Sequence, residues 1–334
     1  MRAPIRSAGD TGLAAGFAVA GRALLTWYEA RGRRLRFRET RDPWAILVSE
    51  VMLQQTQVSR IETAWESFMA AFPTPRDLAD ATPAAVLRQW AGLGYNRRAV
   101  NLQRAARAIC EVHSGRVPQG LEELEALPGI GGYTARAVAA IAFETPVAAI
   151  DTNLRRVLGR VLVGNGWQGD PGVALSPVEL QRRADQLVER RAPGEWTHAL
   201  MDVGATICRP RDPDCGGCPL SAACRYARVA AVAKAASVSG AAAGVAAAGT
   251  SPALHPLPVS RRTPSAPFPS TRRWLRGRII DRLRSSDDGG WVRLDEPIGG
   301  HGTEAVASAI SALERDGLLE RNSDGDVRLP STTQ

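Results

Sequence analysis

Four cysteines constrain the fold of this chain more than any other feature. Cys208, Cys215, Cys218 and Cys224 follow a C-x6-C-x2-C-x5-C pattern within seventeen residues. Four thiols that close in a chain of cytosolic character point to a metal centre rather than to disulfides. Zinc accepts four sulfurs, and a [4Fe-4S] cluster accepts them as well, one Cys to each iron. The spacing alone leaves both open. The fifth cysteine, Cys110, lies beside Ile109 on a helical face and reads as buried core filler.

The cysteines close a long helical stretch. From 12 to 228 apolar residues recur every three to four positions, through 45–53, 58–72, 83–90 and 99–112, and strand patterns are nearly absent. Pro73, Pro75, Pro83, Pro118, Pro128 and Pro146 punctuate this pattern where helices start or stop. The fold class that follows is all-α, built from many short helices. Arg2 and Arg6 ahead of the apolar stretch 13–20 have the outline of a signal peptide. Gly16 interrupts it, however, and the pattern runs on into Leu24, Leu25, Trp27 and Tyr28 at the spacing of an amphipathic helix. No apolar run approaches the roughly 18 to 20 residues that span a bilayer, so a cytoplasmic chain without a membrane partner is expected.

From 229 to 268 the chain turns to Ala, Gly, Ser and Pro, too little apolar surface to offset ordering entropy, and reads as a flexible linker. The tail is ordered again. Leu275, Ile279, Ile280 and Leu283 share one helical face, and Val306, Ile310 and Leu313 another. A strand over 291–294 and a hairpin turning at 322–325 complete a small winged-helix-like α+β module over 269–334.

Charge suggests a partner. The formal net charge is +8, and the excess lies in the first two thirds of the chain. A positive surface suits a polyanion, nucleic acid before membrane; an Arg-rich composition with no partner explains the same count. Among the 42 basic residues there is a single Lys, Lys234.

A second motif, Leu127-Pro128-Gly129-Ile130-Gly131-Gly132-Tyr133-Thr134-Ala135, joins one short helix to the next. Its glycines let the backbone approach a ligand, and the N–H groups of the new helix point at an anion. In a basic domain that anion is a DNA phosphate; a tight helix-helix turn is the structural alternative.

This hairpin, then Asp151 after the next helix, then the four cysteines, resembles the helix-hairpin-helix DNA glycosylases with an iron-sulfur cluster. Within that superfamily, Val48-Ser49-Glu50-Val51-Met52-Leu53-Gln54-Gln55-Thr56-Gln57-Val58 resembles the adenine glycosylases of the MutY family. The match covers about 22–228. It favours a [4Fe-4S] cluster over zinc. It implies an N-terminal segment over 1–44 packing on the cluster domain, a six-helix barrel over 45–154 and an iron-sulfur domain over 155–228. The linker at 229–268 and the tail module at 269–334 follow.

The resemblance assigns roles that chemistry supports. Breaking an N-glycosidic bond builds oxocarbenium character on the sugar, which a carboxylate near C1′ stabilises; this is Asp151, with Asn153 orienting it. The structural alternative is a helix N-cap for Asp151 and a cap or turn for Asn153. Adenine leaves poorly as an anion, so an acid that protonates the purine lowers the barrier, and Glu50 among Val48, Val51 and Met52 fits that role. Tyr133 stands where bifunctional relatives carry the Schiff-base Lys. With Lys234 in the linker, the implied enzyme is monofunctional and leaves an abasic site. A base inside a duplex must be flipped out. By resemblance Gln55 and Tyr95 probe the stack with Leu53 and Gln54 nearby, Arg38 lines the base pocket, and Gly129 and Gly131 approach the backbone. Arg97, Arg98 and Arg104 then supply phosphate contacts. The partner implied is double-stranded DNA with a mispaired or damaged base, bound by a monomer at the nucleoid.

Several positions depart from the family pattern. Asn96 replaces a second aromatic after Tyr95, Asp151-Thr152-Asn153 replaces Asp-Gly-Asn, and Phe37 replaces a Trp. His198 stands where the family uses an amide or carboxylate around the adenine; it is either a base contact or a core histidine. The tail bears no resemblance to the NUDIX-like domain that reads 8-oxoguanine in many members. Adenine opposite 8-oxoguanine or G is the leading substrate. A thymine or uracil glycosylase on G mismatches and a non-catalytic iron-sulfur DNA-binding protein are the alternatives.

Overall fold

The computed structural model describes residues 8–164, 175–238, 267–287 and 289–331. Among them the fold is almost wholly helical, as the sequence predicts. The helices are α1 (Ala8–Arg31), α2 (Pro43–Leu53), α3 (Ile61–Ala71), α4 (Pro75–Asp80), α5 (Pro83–Gln89), α6 (Arg97–Val112), α7 (Leu121–Glu125), α8 (Gly132–Phe143), α9 (Thr152–Leu162), α10 (Pro177–Leu187), α11 (Pro193–Asp202), α12 (Arg225–Val238), α13 (Arg272–Arg284) and α14 (Thr303–Arg315). None of the described helices is long and apolar enough to cross a membrane.

Of the prolines expected to punctuate the helices, Pro75 and Pro83 each occupy the first helical position, where a missing N–H costs nothing, and so do Pro43 and Pro177. Asp42, Thr74, Thr82 and Ser176 cap these helices just ahead of them by accepting from a backbone N–H of the first turn.

The chain forms two compact units, each made of two stretches of sequence. One comprises 1–34 and 136–260. Its core gathers Leu24 of α1, Leu154, Val157, Leu158 and Val161 of α9, and Trp196 and Leu200 of α11. The other comprises 35–135 and 261–334. Here Phe68 packs edge-on against Trp90, with ring centroids 5.6 Å apart, amid buried Ile46, Leu47, Leu102 and Ile109.

The tail belongs to this second unit. Its predicted faces are buried throughout: Leu275, Ile279, Ile280 and Leu283 on α13, and Val306, Ile310 and Leu313 on α14. The hairpin is β1 (Glu320–Arg321) antiparallel to β2 (Val327–Arg328), with Glu320 opposite Arg328. The predicted strand over 291–294 is reduced to one bridge between Val292 and Val327. Three N-terminal residues of the predicted linker's neighbourhood, Arg225, Tyr226 and Ala227, begin α12, which continues through 229–238 into the stretch expected to be flexible. Its Ala-rich sequence has high helix propensity and contains no Gly before Gly240. The remainder of that linker, 239–266, lies outside the described residues. Cys110, expected in the core, is only half-buried.

Candidate active site and cysteine centre

In the second unit the candidate residues lie on α2 and the loops that follow it. Every residue of α2 from Trp44 to Met52 is buried, and Glu50 is only 4% exposed. Leu53 ends the helix half-buried. Gln54 Nε2 donates to Thr134 Oγ1 at 3.1 Å, which ties this loop to the residue after Tyr133. Gln55 is exposed on left-handed backbone at φ +56°. A second loop carries Gly92, Gly94 and Tyr95 at φ +78°, +67° and +46°, and the Tyr95 ring is 41% exposed. Non-glycine residues persist in that region only where their surroundings over-determine them.

Arg98 provides the over-determination. Its Nη1 donates to the carbonyls of Val51, Met52 and Gln54 at 2.9, 2.8 and 2.6 Å. Its Nη2 donates to Thr56 Oγ1 and to the carbonyls of Leu93 and Gly94 at 2.9, 3.0 and 3.1 Å. One guanidinium thus joins the Gln55 loop to the Tyr95 loop. Burial pushes Arg98 down to about 10, which leaves it cationic at neutral pH. The expectation that Arg98 meets a phosphate is therefore corrected: its donors are turned inward, because two tight loops leave six acceptors that one planar fork can reach.

The hairpin runs between α7 and α8. Leu124, Leu127 and Ile130 are buried beneath it. Gly129 has φ +79°, and a Cβ there would fall 2.7 Å from Asn101 Cβ, so both backbone and space demand glycine. Gly131 faces open space just ahead of the α8 N-terminus, with Tyr133 half-buried in its first turn. Arg38 is half-buried at the end of the short turn Arg36–Arg38, whose Phe37 packs against Trp65.

The first unit holds the other candidates. Asp151 caps α9: its Oδ1 accepts from Leu154 N at 2.7 Å, and its Oδ2 accepts from Asn153 Nδ2 at 3.2 Å. The capping alternative is thus realised, and the same bonds fix the carboxylate's orientation. Asn153 is fixed in turn by Arg156, whose Nη2 donates to Asn153 Oδ1 at 2.9 Å and to Gly204 O at 2.7 Å. Arg156 Nε donates to Cys208 O at 2.8 Å. A continuous chain of side chains therefore runs from Asp151 to the backbone of the first cysteine.

Cys208, Cys215, Cys218 and Cys224 line one pocket with Val157, Arg160, Leu220 and Tyr226. Among the described residues no three His, Cys, Asp or Glu side chains converge closely enough to hold a metal ion as they stand. The donor set nonetheless fits a thiolate-bound centre: four sulfurs share apolar walls, and Arg160 supplies a positive charge beside them. Its Nη1 donates to Cys208 Sγ at 3.3 Å, while its guanidinium lies 4.8 Å from the Tyr226 ring centroid. Burial raises the Cys215 and Cys224 thiols and pushes Cys218 up to about 12. A bound cation would reverse that cost, because metals bind thiols as thiolates.

His198 is buried on α11, its ring centroid 6.3 Å from that of Tyr28 on α1. Sequence reasoning missed Arg156 and Arg160. The available signal was their position: both fall between the apolar residues of α9, and both end up buried. A buried Arg is uncommon unless it is paired. The second unit thus holds a buried carboxylic acid and two exposed side chains on left-handed loops, and the first unit an oriented carboxylate. These are residue types that cleavage at a sugar carbon calls for.

Comparison with known proteins agrees. Residues 48–174 match the HhH-GPD superfamily base excision DNA repair protein model. The chain is 36% identical over 317 residues to an adenine DNA glycosylase of Mycobacterium tuberculosis, covering 92% of each. It is 41% identical over 212 residues to a human adenine DNA glycosylase, covering 61% of this chain and 38% of that one. A solved thermostable thymine-DNA glycosylase superposes with a TM-score of 0.58 at 29% identity, over 64% of this chain and 97% of that one.

Proposed function

The chain belongs to the adenine DNA glycosylase family, and from that premise we propose that it is a monofunctional base-excision-repair glycosylase hydrolysing adenine mispaired with 8-oxoguanine or guanine. Asp151 faces the developing positive charge at C1′ of the flipped nucleotide, held by Leu154 N–H and Asn153. Glu50 delivers the proton that lets the purine leave neutral. Water then completes the hydrolysis. Tyr133 occupies the hairpin position of the Schiff-base Lys, and no Lys other than Lys234 exists in the chain. No side-chain amine is therefore placed to attack the sugar. Gln55 and Tyr95 fill the gap left by the flipped base, Leu53, Gln54 and Arg38 border it, and Gly129 and Gly131 bring the α8 N-terminus to a phosphate.

Cys208, Cys215, Cys218 and Cys224 would hold a [4Fe-4S] cluster, in preference to zinc. Bound there it would act structurally, closing the segment that Arg156 ties to Asn153. Iron, acid-labile sulfide and zinc assays of the purified protein separate the two metals. The protein acts as a monomer on duplex DNA in the cytoplasm. His198, buried with its ring near Tyr28, stands where the family contacts the adenine and is either a base contact or a core histidine.

The observation that most supports this reading is the doubly held Asp151 carboxylate in a chain 36% identical to an adenine DNA glycosylase. Single-turnover base release from duplexes carrying 8-oxoguanine:A, G:A, G:T and G:U tests it. Glu50→Gln and Asp151→Asn should each lower adenine release by about 10²-fold or more, with duplex affinity within twofold of wild type. Loss of binding instead would place both residues in folding rather than chemistry. Strand cleavage without alkali, or an adduct trapped by borohydride, would refute the monofunctional claim. The likeness to a thymine-DNA glycosylase favours a second reading, release of thymine from G:T. In that case Glu50→Gln is mild, because a pyrimidine needs no purine-ring protonation.

A further inference from the structure

The tail module grips the loop that carries Tyr95. Arg284, in the last turn of α13, is half-buried, and donates through Nε to Leu87 O at 2.8 Å and through Nη2 to Asn96 Oδ1 at 2.9 Å. Burial lowers its pKa, and Asp281 at 2.9 Å opposes that shift. At the other end of α13, Arg273 Nη1 donates to the Tyr95 hydroxyl oxygen. Neighbouring residues 95 and 96 are thus each held by a different arginine of one helix. Asn96, which departs from the aromatic of the family pattern, is the acceptor that seats α13.

Arg273 does more than cap a hydroxyl. Its guanidinium carbon lies 5.0 Å from the Tyr95 ring centroid and 4.8 Å from that of Phe268, while Arg98 lies 5.6 Å from Tyr95 and 5.4 Å from Trp90. The result is an alternating ladder of Trp90, Arg98, Tyr95, Arg273 and Phe268. Its inner end is fully buried, whereas Tyr95 and Phe268 are 41% and 52% exposed. Such contacts strengthen as water is excluded, and DNA laid over the exposed rungs would exclude it.

We propose that Arg273 of the tail module is a positioning residue for Tyr95, fixing the ring in the attitude from which it enters the base stack. The module therefore acts on the mispair through Tyr95 rather than as an independent DNA binder, in keeping with its formal charge of −1 over 269–334. This rests on the reading of Tyr95 as a probe of the stack.

The test uses the full chain and single-turnover adenine release at saturating enzyme, with Arg273→Ala, Arg273→Lys, Tyr95→Ala and the Tyr95→Ala/Arg273→Ala double variant. A cation–π contact of about 0.5 to 2 kcal/mol converts to a loss of about twofold to thirtyfold for Arg273→Ala. Arg273→Lys should not restore the rate, because an ammonium lacks the planar stack. The double variant should be no slower than Tyr95→Ala alone, since Arg273 works through that ring. Affinity for undamaged duplex and the thermal midpoint should stay near wild type in both Arg273 variants, which a merely structural role would not leave unchanged. Full rescue by Lys, multiplied losses in the double variant, or an unchanged rate in Arg273→Ala would each overturn the proposal. Failure of the wild type to release adenine would instead overturn the enzyme assignment, and a wild-type rate in Tyr95→Ala would overturn the probing role.

Discussion

Arg98 in one unit and Arg156 in the other perform the same physical task for different ends. Each is a guanidinium withdrawn from solvent to collect oxygen acceptors from segments far apart in sequence. Arg98 collects from two short loops on strained, left-handed backbone and leaves their tips, Gln55 and Tyr95, exposed. Arg156 collects from a helix and from the segment carrying Cys208, and what it holds steady is not a tip but the Asn153 amide behind Asp151. One clamp holds two exposed tips in place; the other orients a carboxylate. Lysine would do neither, because three donors on one point cannot span acceptors spread over a plane. The near-exclusive use of Arg thus has a structural role beside any electrostatic one. The basic excess overstates the charge free to meet a polyanion.

Breaking the Arg98 clamp should have the larger effect. Arg98→Ala removes six hydrogen bonds from the end of α2 and the two loops, and of their acceptors Gly94 O keeps a donor in Trp90 Nε1. Each buried acceptor left unpaired costs about 1 to 3 kcal/mol before relaxation. With both loops free to relax, a net loss of about 3 to 5 kcal/mol is expected in urea unfolding. Base release should fall further than stability alone explains, because Gln55 and Tyr95 are released together. Arg98→Lys should recover less than half of either loss. Full recovery would mean that charge, not the planar fork, organises the loops.

Arg156→Ala should cost less in stability, about 2 to 4 kcal/mol for three stranded acceptors, and should act differently on function. With Asn153 unsupported, Asp151 keeps its bond to Leu154 N but loses a fixed second partner. Adenine release should drop about tenfold to a hundredfold while duplex affinity changes little. The cysteine segment should lose its metal faster on dilution into chelator. If affinity falls and chemistry is spared, the Arg156 chain serves the interface rather than the carboxylate.

Much of this was legible in the sequence and some of it was not, for physical reasons. Helix starts were legible because Pro43, Pro75 and Pro83 each follow a residue whose side chain caps. The faces of α13 and α14 were legible because apolar spacing maps directly onto burial. The packing of the N-terminal segment on the cluster domain was expected from the family resemblance alone; it was not legible in the residue pattern, since contacts between distant segments leave no local period. Nor was the inward turn of Arg98. Its neighbours Arg97 and Arg104 look the same in sequence, and only the closure of two loops decides which guanidinium meets carbonyls. Asn96 illustrates the remaining kind of miss: read against a family pattern it is a lost aromatic, whereas in the fold it is the seat of Arg284.

The smallest expected effect comes from arginines that pair with a carboxylate at the surface. On α10, Glu179 pairs with Arg182 at 2.8 Å and Arg183 at 2.6 Å, all three partly open to water. Hydrogen bonds to Arg182 and then Arg183 hold the Glu179 carboxyl down at about 2, against 4.5 unperturbed. A depressed carboxylate pKa contributes stability above its unfolded value, and that contribution is lost as pH falls from about 4.5 toward 2. Solvent screening keeps it small, so Glu179→Gln should shift stability by less than about 1 kcal/mol at pH 7. The gap between wild type and variant should narrow steadily between pH 5 and pH 3 in urea titrations, and it should also shrink in high salt. A gap as large as that of Arg98→Ala, or one that widens on acidification, would erase the distinction between arginines that pair at the surface and those that gather backbone oxygens inside.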